Sequence, residues 1–164
     1  MTRYAEGTRV APEKSRAEIE TLFRKAGATR VMIDADDGGG VATLLIQLAD
    51  RFFRFRVTRP TLDEARAERQ KQKRRGHPKS GELERMVDDE WRRRWRVLLL
   101  VSKAKLELIA SKESTAEREF MADLVMPGGR TLSEIAFPKI AAAYEAGPPR
   151  LGGGAGDEIE GEVL

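Results

Sequence analysis

Asp34, Asp36 and Asp37 place three carboxylates within four positions, immediately before Gly38-Gly39-Gly40. Hard oxygen ligands at this density could hold Mg²⁺ or Ca²⁺, and a metal-dependent nuclease would be the matching reaction. The same residues also build tight hairpin turns, and a two-metal site would need further carboxylates converging from another element. His77 is the single histidine and lies in the run Arg74-Arg75-Gly76-His77-Pro78-Lys79, where nothing fixes the geometry that a general base requires. The glycine cluster is not followed by Gly-Lys-Ser/Thr, so it is no phosphate loop. Absence of cysteine excludes a disulfide scaffold, a thiolate metal site and a cysteine nucleophile. The sequence therefore assigns no catalytic residue, metal or cofactor. It points to a protein that binds rather than one that catalyses.

Cations offer more. The 164 residues carry 30 Lys+Arg and 27 Asp+Glu, a formal charge of +3, but the distribution is uneven. Arg51 to Arg96 holds 16 bases against 8 acids, a local charge of +8, whereas Leu151 to Leu164 has four acids and no base. A basic middle suits a polyanion. Arg54 and Arg56 alternate with Phe53, Phe55 and Val57, so a strand there would turn its arginines to one face and its apolar groups to the other. Phe52 could add a stacking surface beside those arginines, or begin the strand and pack on the long helix. Arg85, Arg92, Arg96 and Lys103 recur seven, four and seven apart, a helical stripe that Arg93 and Arg94 broaden. The null alternative is that these stems cover aromatic rings and pair with Glu82, Asp88, Asp89 or Glu90. Lys71, Lys73, Arg74 and Arg75 form an acid-free cationic arm that could order on nucleic acid. No base-reading motif is present, so binding would be sequence-nonspecific.

The elements that position these groups follow from periodicity and caps. Ser15-x-x-Glu18 is a capping-box pattern, predicting a helix over 16–26 whose stripe is Ile19, Leu22, Phe23 and Ala26. From Thr29 the period falls to two, giving strands over 29–35, 41–48 and 51–58 joined by a Gly-rich turn and by Ala49-Asp50. Residues 61–81 are polar on every side and read as an exposed charged helix or a loop. Trp91, Trp95, Leu98, Ser102, Leu106 and Ile109 share one face of a helix from about Glu82 to Ala110. Ser114-x-x-Glu117 and Thr131-x-x-Glu134 announce two more helices, the first running through Phe120, Leu124 and Val125, the second kinked or split by Pro138. The expected fold class is α+β: an N-terminal helix, a three-stranded antiparallel meander, a long helix packed on the sheet, and short C-terminal helices. Residues 1–14 read as an extension, 15–147 as one domain and 148–164 as a flexible Gly-rich acidic tail.

No apolar stretch approaches the roughly 18–20 residues of a membrane span, and the N-terminal run lacks the apolar core of a signal peptide. A cytoplasmic location is expected. Trp95-Arg96-Val97-Leu98-Leu99-Leu100, Lys103-Ala104-Lys105-Leu106-Glu107, Glu119-Phe120 and Met126-Pro127-Gly128-Gly129-Arg130-Thr131, with Ser15-x-x-Glu18-Ile19-Glu20 and Lys25-Ala26-Gly27-Ala28, resemble a family of small proteins encoded by bacteriophages and prophages. The resemblance covers nearly all of residues 8–150, apart from the basic insert and the tail. It implies a phage origin but no settled activity and no catalytic residue. Asp157, Glu158, Ile159, Val163 and Leu164 form an acidic, apolar-tipped end that resembles in kind the tails of bacterial single-strand-binding proteins, which recruit protein partners. The expected function is therefore phage-encoded binding of nucleic acid, single-stranded DNA in replication or recombination. The alternative is a protein-interaction module, such as a host-factor inhibitor or accessory subunit, without any nucleic-acid role.

Overall fold

A computed structural model of the chain describes residues 4–35, 40–72 and 76–147. Three strands, β1 (Arg30–Asp34), β2 (Val41–Leu48) and β3 (Arg51–Thr58), pair antiparallel in the order β1-β2-β3. Ala49 and Asp50 close the second hairpin with φ of 50° and 59°, the left-handed geometry of two-residue loops. In register, Ile33 faces Leu44 and Leu44 faces Phe55, while Ile46 faces Phe53. Period-two alternation thus gathers Ala42, Leu44, Ile46, Leu48, Phe53, Phe55 and Val57 on one buried face.

Two helices cover that face. The first, α1 (Pro12–Lys25), contributes Ile19 and Phe23, and a third-turn partner comes from the long helix α3 (Glu82–Ala110), which contributes Trp91, Trp95, Leu99 and Leu106. Between them in sequence lies α2 (Leu62–Lys71), which packs Ala65 against Leu83 and Val87 of α3 in a small second cluster. After α3 come a single-turn helix α4 (Ala116–Glu119), a 3₁₀ turn (Met121–Asp123) and α5 (Leu132–Glu145). Phe120, between α4 and the 3₁₀ turn, is 1% exposed and meets three rings, Phe23 at 5.7 Å, Phe53 at 5.7 Å and Phe55 at 5.5 Å. The architecture is α+β as expected. Among the described residues no helix is long and apolar enough to cross a membrane.

Several local expectations need correction. The first helix starts four residues early, at Pro12, because proline is preorganised for the first helical position; Ser15 is fully buried and its hydroxyl makes no hydrogen bond, so it is no cap. Residues 62–71 are helical, opened by a capping box between Thr61 and Glu64. The cap after α3 is Thr115 rather than Ser114, and the helix it opens lasts four residues. Leu124 and Val125 are not helical: the Val125 N–H donates to the Phe52 carbonyl at 2.8 Å and Leu124 bridges to Phe53, so the chain runs along the free edge of β3. Pro138 does not split α5, which runs unbroken from Leu132 to Glu145. Proline at this position leaves the Glu134 carbonyl without its helical donor, and the Arg130 guanidinium donates to it instead.

Candidate nucleic-acid interface

Pleating turns the remaining residues of the sheet to its other face. Across the strands they form rows: Arg30, Gln47 and Phe52; Met32, Leu45 and Arg54; Asp34, Thr43 and Arg56. At about 4.8 Å between strands and about 3.4 Å per residue, the three rows span roughly 10 Å by 14 Å. Both helix stripes lie on the opposite face, and this one is left open, with Met32 53% and Val41 44% exposed. Phe52 is half-buried and shares this face with the arginines, so it does not pack on the long helix.

The segment along the β3 edge delivers an acid to this face. Val125 bridges to Thr131 in a short hairpin whose turn is Met126-Pro127-Gly128-Gly129, and Thr131 then caps α5. Glu134 occupies the third helical position, where its carboxylate accepts from the Thr131 N–H at 2.9 Å while the Thr131 hydroxyl accepts from the Glu134 N–H at 3.3 Å. That carboxylate also meets two guanidinium groups. Arg54 donates to one oxygen at 2.6 Å and to the Gly129 carbonyl at 2.9 Å, and Arg56 lies 3.1 Å from the other oxygen. The Thr131 N–H, and then the charges of Arg54 and Arg56, hold the Glu134 carboxyl below the ordinary glutamate value. Two arginines thus share one carboxylate, and a third, Arg130, is held on the backbone carbonyl of the same residue.

The long helix is organised differently. Arg92 pairs with Asp89, Arg93 with Glu90 at 2.6 Å, and Arg96 reaches across to Glu18 of α1 at 2.8 Å. Arg94 donates to the Thr58 carbonyl at 2.6 Å and lies near Glu64 and Glu90. Lys103 and Lys71 are exposed. A cleft of about 880 Å³ lies between α2, α3 and the N-terminal segment, but its lining has six acidic and six basic side chains, with His77 at its rim. Such a balanced wall does not make a channel for a polyanion. The helix arginines and the sheet arginines consequently do not form one groove: α1 and α3 cover the buried sheet face, and Arg54 and Arg56 point from the other.

Lys73, Arg74, Arg75, Asp36, Asp37, Asp157, Glu158, Ile159, Val163 and Leu164 lie outside the described residues. Asp34 is exposed at the end of β1, and among the described residues no group of three histidine or carboxylate side chains could hold a metal. His77 is exposed, and its carbonyl accepts from Arg69. Sequence reasoning missed Arg30 and Glu134 as parts of the sheet site. Counting strand parity would have found Arg30, opposite Gln47 and Phe52. Glu134 was visible only as a helix cap, since its pairing with Arg54 spans 80 residues. No protein-family model matches this chain, and neither a curated protein nor a solved structure does.

Proposed function

We propose that this chain is a non-catalytic, sequence-nonspecific nucleic-acid-binding protein, that its ligand is a single strand, and that the strand lies on the open sheet face. Supporting this most directly is the uncovered face that presents Arg30, Arg54 and Arg56 beside Phe52. Phosphates neutralised by arginine supply affinity, and an aromatic ring supplies stacking that any base can use, about 1–3 kcal/mol per base. Glu134 acts as a built-in stand-in for phosphate. Partly exposed ion pairs are weak because solvent screens them, so exchanging the carboxylate for a phosphate costs little. The resemblance to phage proteins fits a role in replication or recombination of phage DNA.

The helix stripe is left out of the site because Arg92, Arg93 and Arg96 each have a carboxylate of their own. With the three arginines of the face engaged, the logarithm of affinity should fall against the logarithm of salt with a slope of about −2 for a single strand. A fluorescent oligothymidylate titrated at 50 mM and 200 mM salt tests both points. Binding tighter than about 10 μM at 50 mM salt, weakened roughly 15- to 20-fold at 200 mM, is expected. No binding at 50 mM salt would overturn the proposal.

A further inference from the structure

Among the strand residues turned to the open face, Asp34 is the only acid. It is exposed, and no cation pairs with it among the described residues. Register sets it beside Thr43 and, one strand further, Arg56, roughly 10 Å across the sheet. A carboxylate on a face that gathers phosphates is unfavourable unless the phosphates keep to the far side of it. The β3 edge puts them there. Arg54 and Arg56 lie about 6.8 Å apart along β3, and the Glu134 carboxylate they share marks where an anion sits. Beyond them the segment from Leu124 to Thr131 and the start of α5 close that edge. Bases attached to phosphates at this position therefore project over β2 and β1, toward Asp34.

We infer that Asp34 reads the Watson–Crick edge of one base and that it favours guanine; the inference rests on the proposed single-strand binding and names its preferred ligand. In a single strand that edge is free to be read. Guanine presents its N1–H and its N2 amine side by side, and the two oxygens of a carboxylate accept from both. Adenine and cytosine each set one amine beside a ring nitrogen that carries a lone pair, and the N3–H of thymine lies between two carbonyls. Each of these turns at least one lone pair against the acid. Size agrees with this choice: across the distance from Arg56 to Asp34 a purine reaches farther from its phosphate than a pyrimidine. Thr43 lies between them, and its hydroxyl both donates and accepts, so it does not discriminate. In the next row Leu45 and the exposed Met32 offer an apolar bed that suits any base. The preference thus belongs to one position on a face that is otherwise indifferent to sequence.

The test titrates the full-length chain at low salt with three fluorescent single strands of equal length: alternating guanine and thymine, alternating hypoxanthine and thymine, and thymine alone. Hypoxanthine keeps the N1–H of guanine and lacks only the N2 amine. Wild type should bind the guanine strand about five- to tenfold more tightly than the thymine strand, with the hypoxanthine strand between them. Asp34→Ala should bind all three within about twofold of one another, and the thymine strand slightly more tightly than wild type does, because an acid has left the face. Equal binding of the three by wild type, or a guanine preference that survives in Asp34→Ala, would overturn the inference while leaving single-strand binding in place. Failure of every strand to bind would overturn the underlying reading, and the inference with it.

Discussion

On one face of β3, Phe53, Phe55 and Val57 are at most 6% exposed, with Phe53 against the ring of Phe120 and Phe55 against those of Phe23 and Phe120; on the other, Arg54 and Arg56 meet a single carboxylate and open solvent. The first face is filled by apolar side chains from helices that pack on it. The second is held by charge, and charge is unequally supplied. On α3, by contrast, Arg92 and Arg93 each find an acid three residues earlier on the same helix. A helix that brings its own counter-ions stays solvated and neutral. The strand borrows one counter-ion from 80 residues away for two arginines, which leaves it a residual positive field. The density of arginine along the chain thus does not track the balance of charge around each arginine.

Three substitutions test the comparison, in decreasing order of effect. Phe120→Ala removes the ring shared by Phe23, Phe53 and Phe55 and should cost about 3–5 kcal/mol in urea unfolding; a loss below about 1 kcal/mol would mean that the covered face is loosely packed. Thr131→Ala removes the cap that places Glu134 and should cost about 1 kcal/mol, with α5 helicity falling by circular dichroism. Glu134→Gln frees Arg54 and Arg56, so oligonucleotide affinity should rise about two- to fivefold at low salt. The same variant has a pH signature. A carboxyl with a lowered folded pKa contributes stability above its ordinary range of about 4.3–4.5 that is lost as pH falls through the folded value. Wild-type stability should therefore decline more steeply than that of Glu134→Gln as pH drops below about 5, and parallel curves would show that the clamp contributes nothing.

Much of the fold was legible because its signals are local. Alternation placed β2 and β3, and one apolar stripe placed α3. The Thr131-x-x-Glu134 pattern located the start of α5. The route from Phe120 to Thr131 was not legible, because Leu124 and Val125 have the spacing of a helix while their actual partners are Phe53 and Phe52, more than 70 residues away. A short run of apolar residues carries no record of which distant edge it will pair with. At α1 two local signals competed, and proline at the first position prevailed over the serine cap. Of the candidate site, Arg54 and Arg56 were placed on their correct face by parity alone. Their counter-ion and their separation from the helix stripe depended on how the layers stack.

The direct test of unequal balance is a paired titration. Arg54→Gln/Arg56→Gln and Arg92→Gln/Arg93→Gln each remove two charges, so at equal net charge only location differs. At 50 mM salt the sheet pair should weaken oligothymidylate binding at least tenfold, with a shallower salt slope, and the helix pair less than threefold. Equal losses from the two pairs, or a larger loss from the helix pair, would contradict the account.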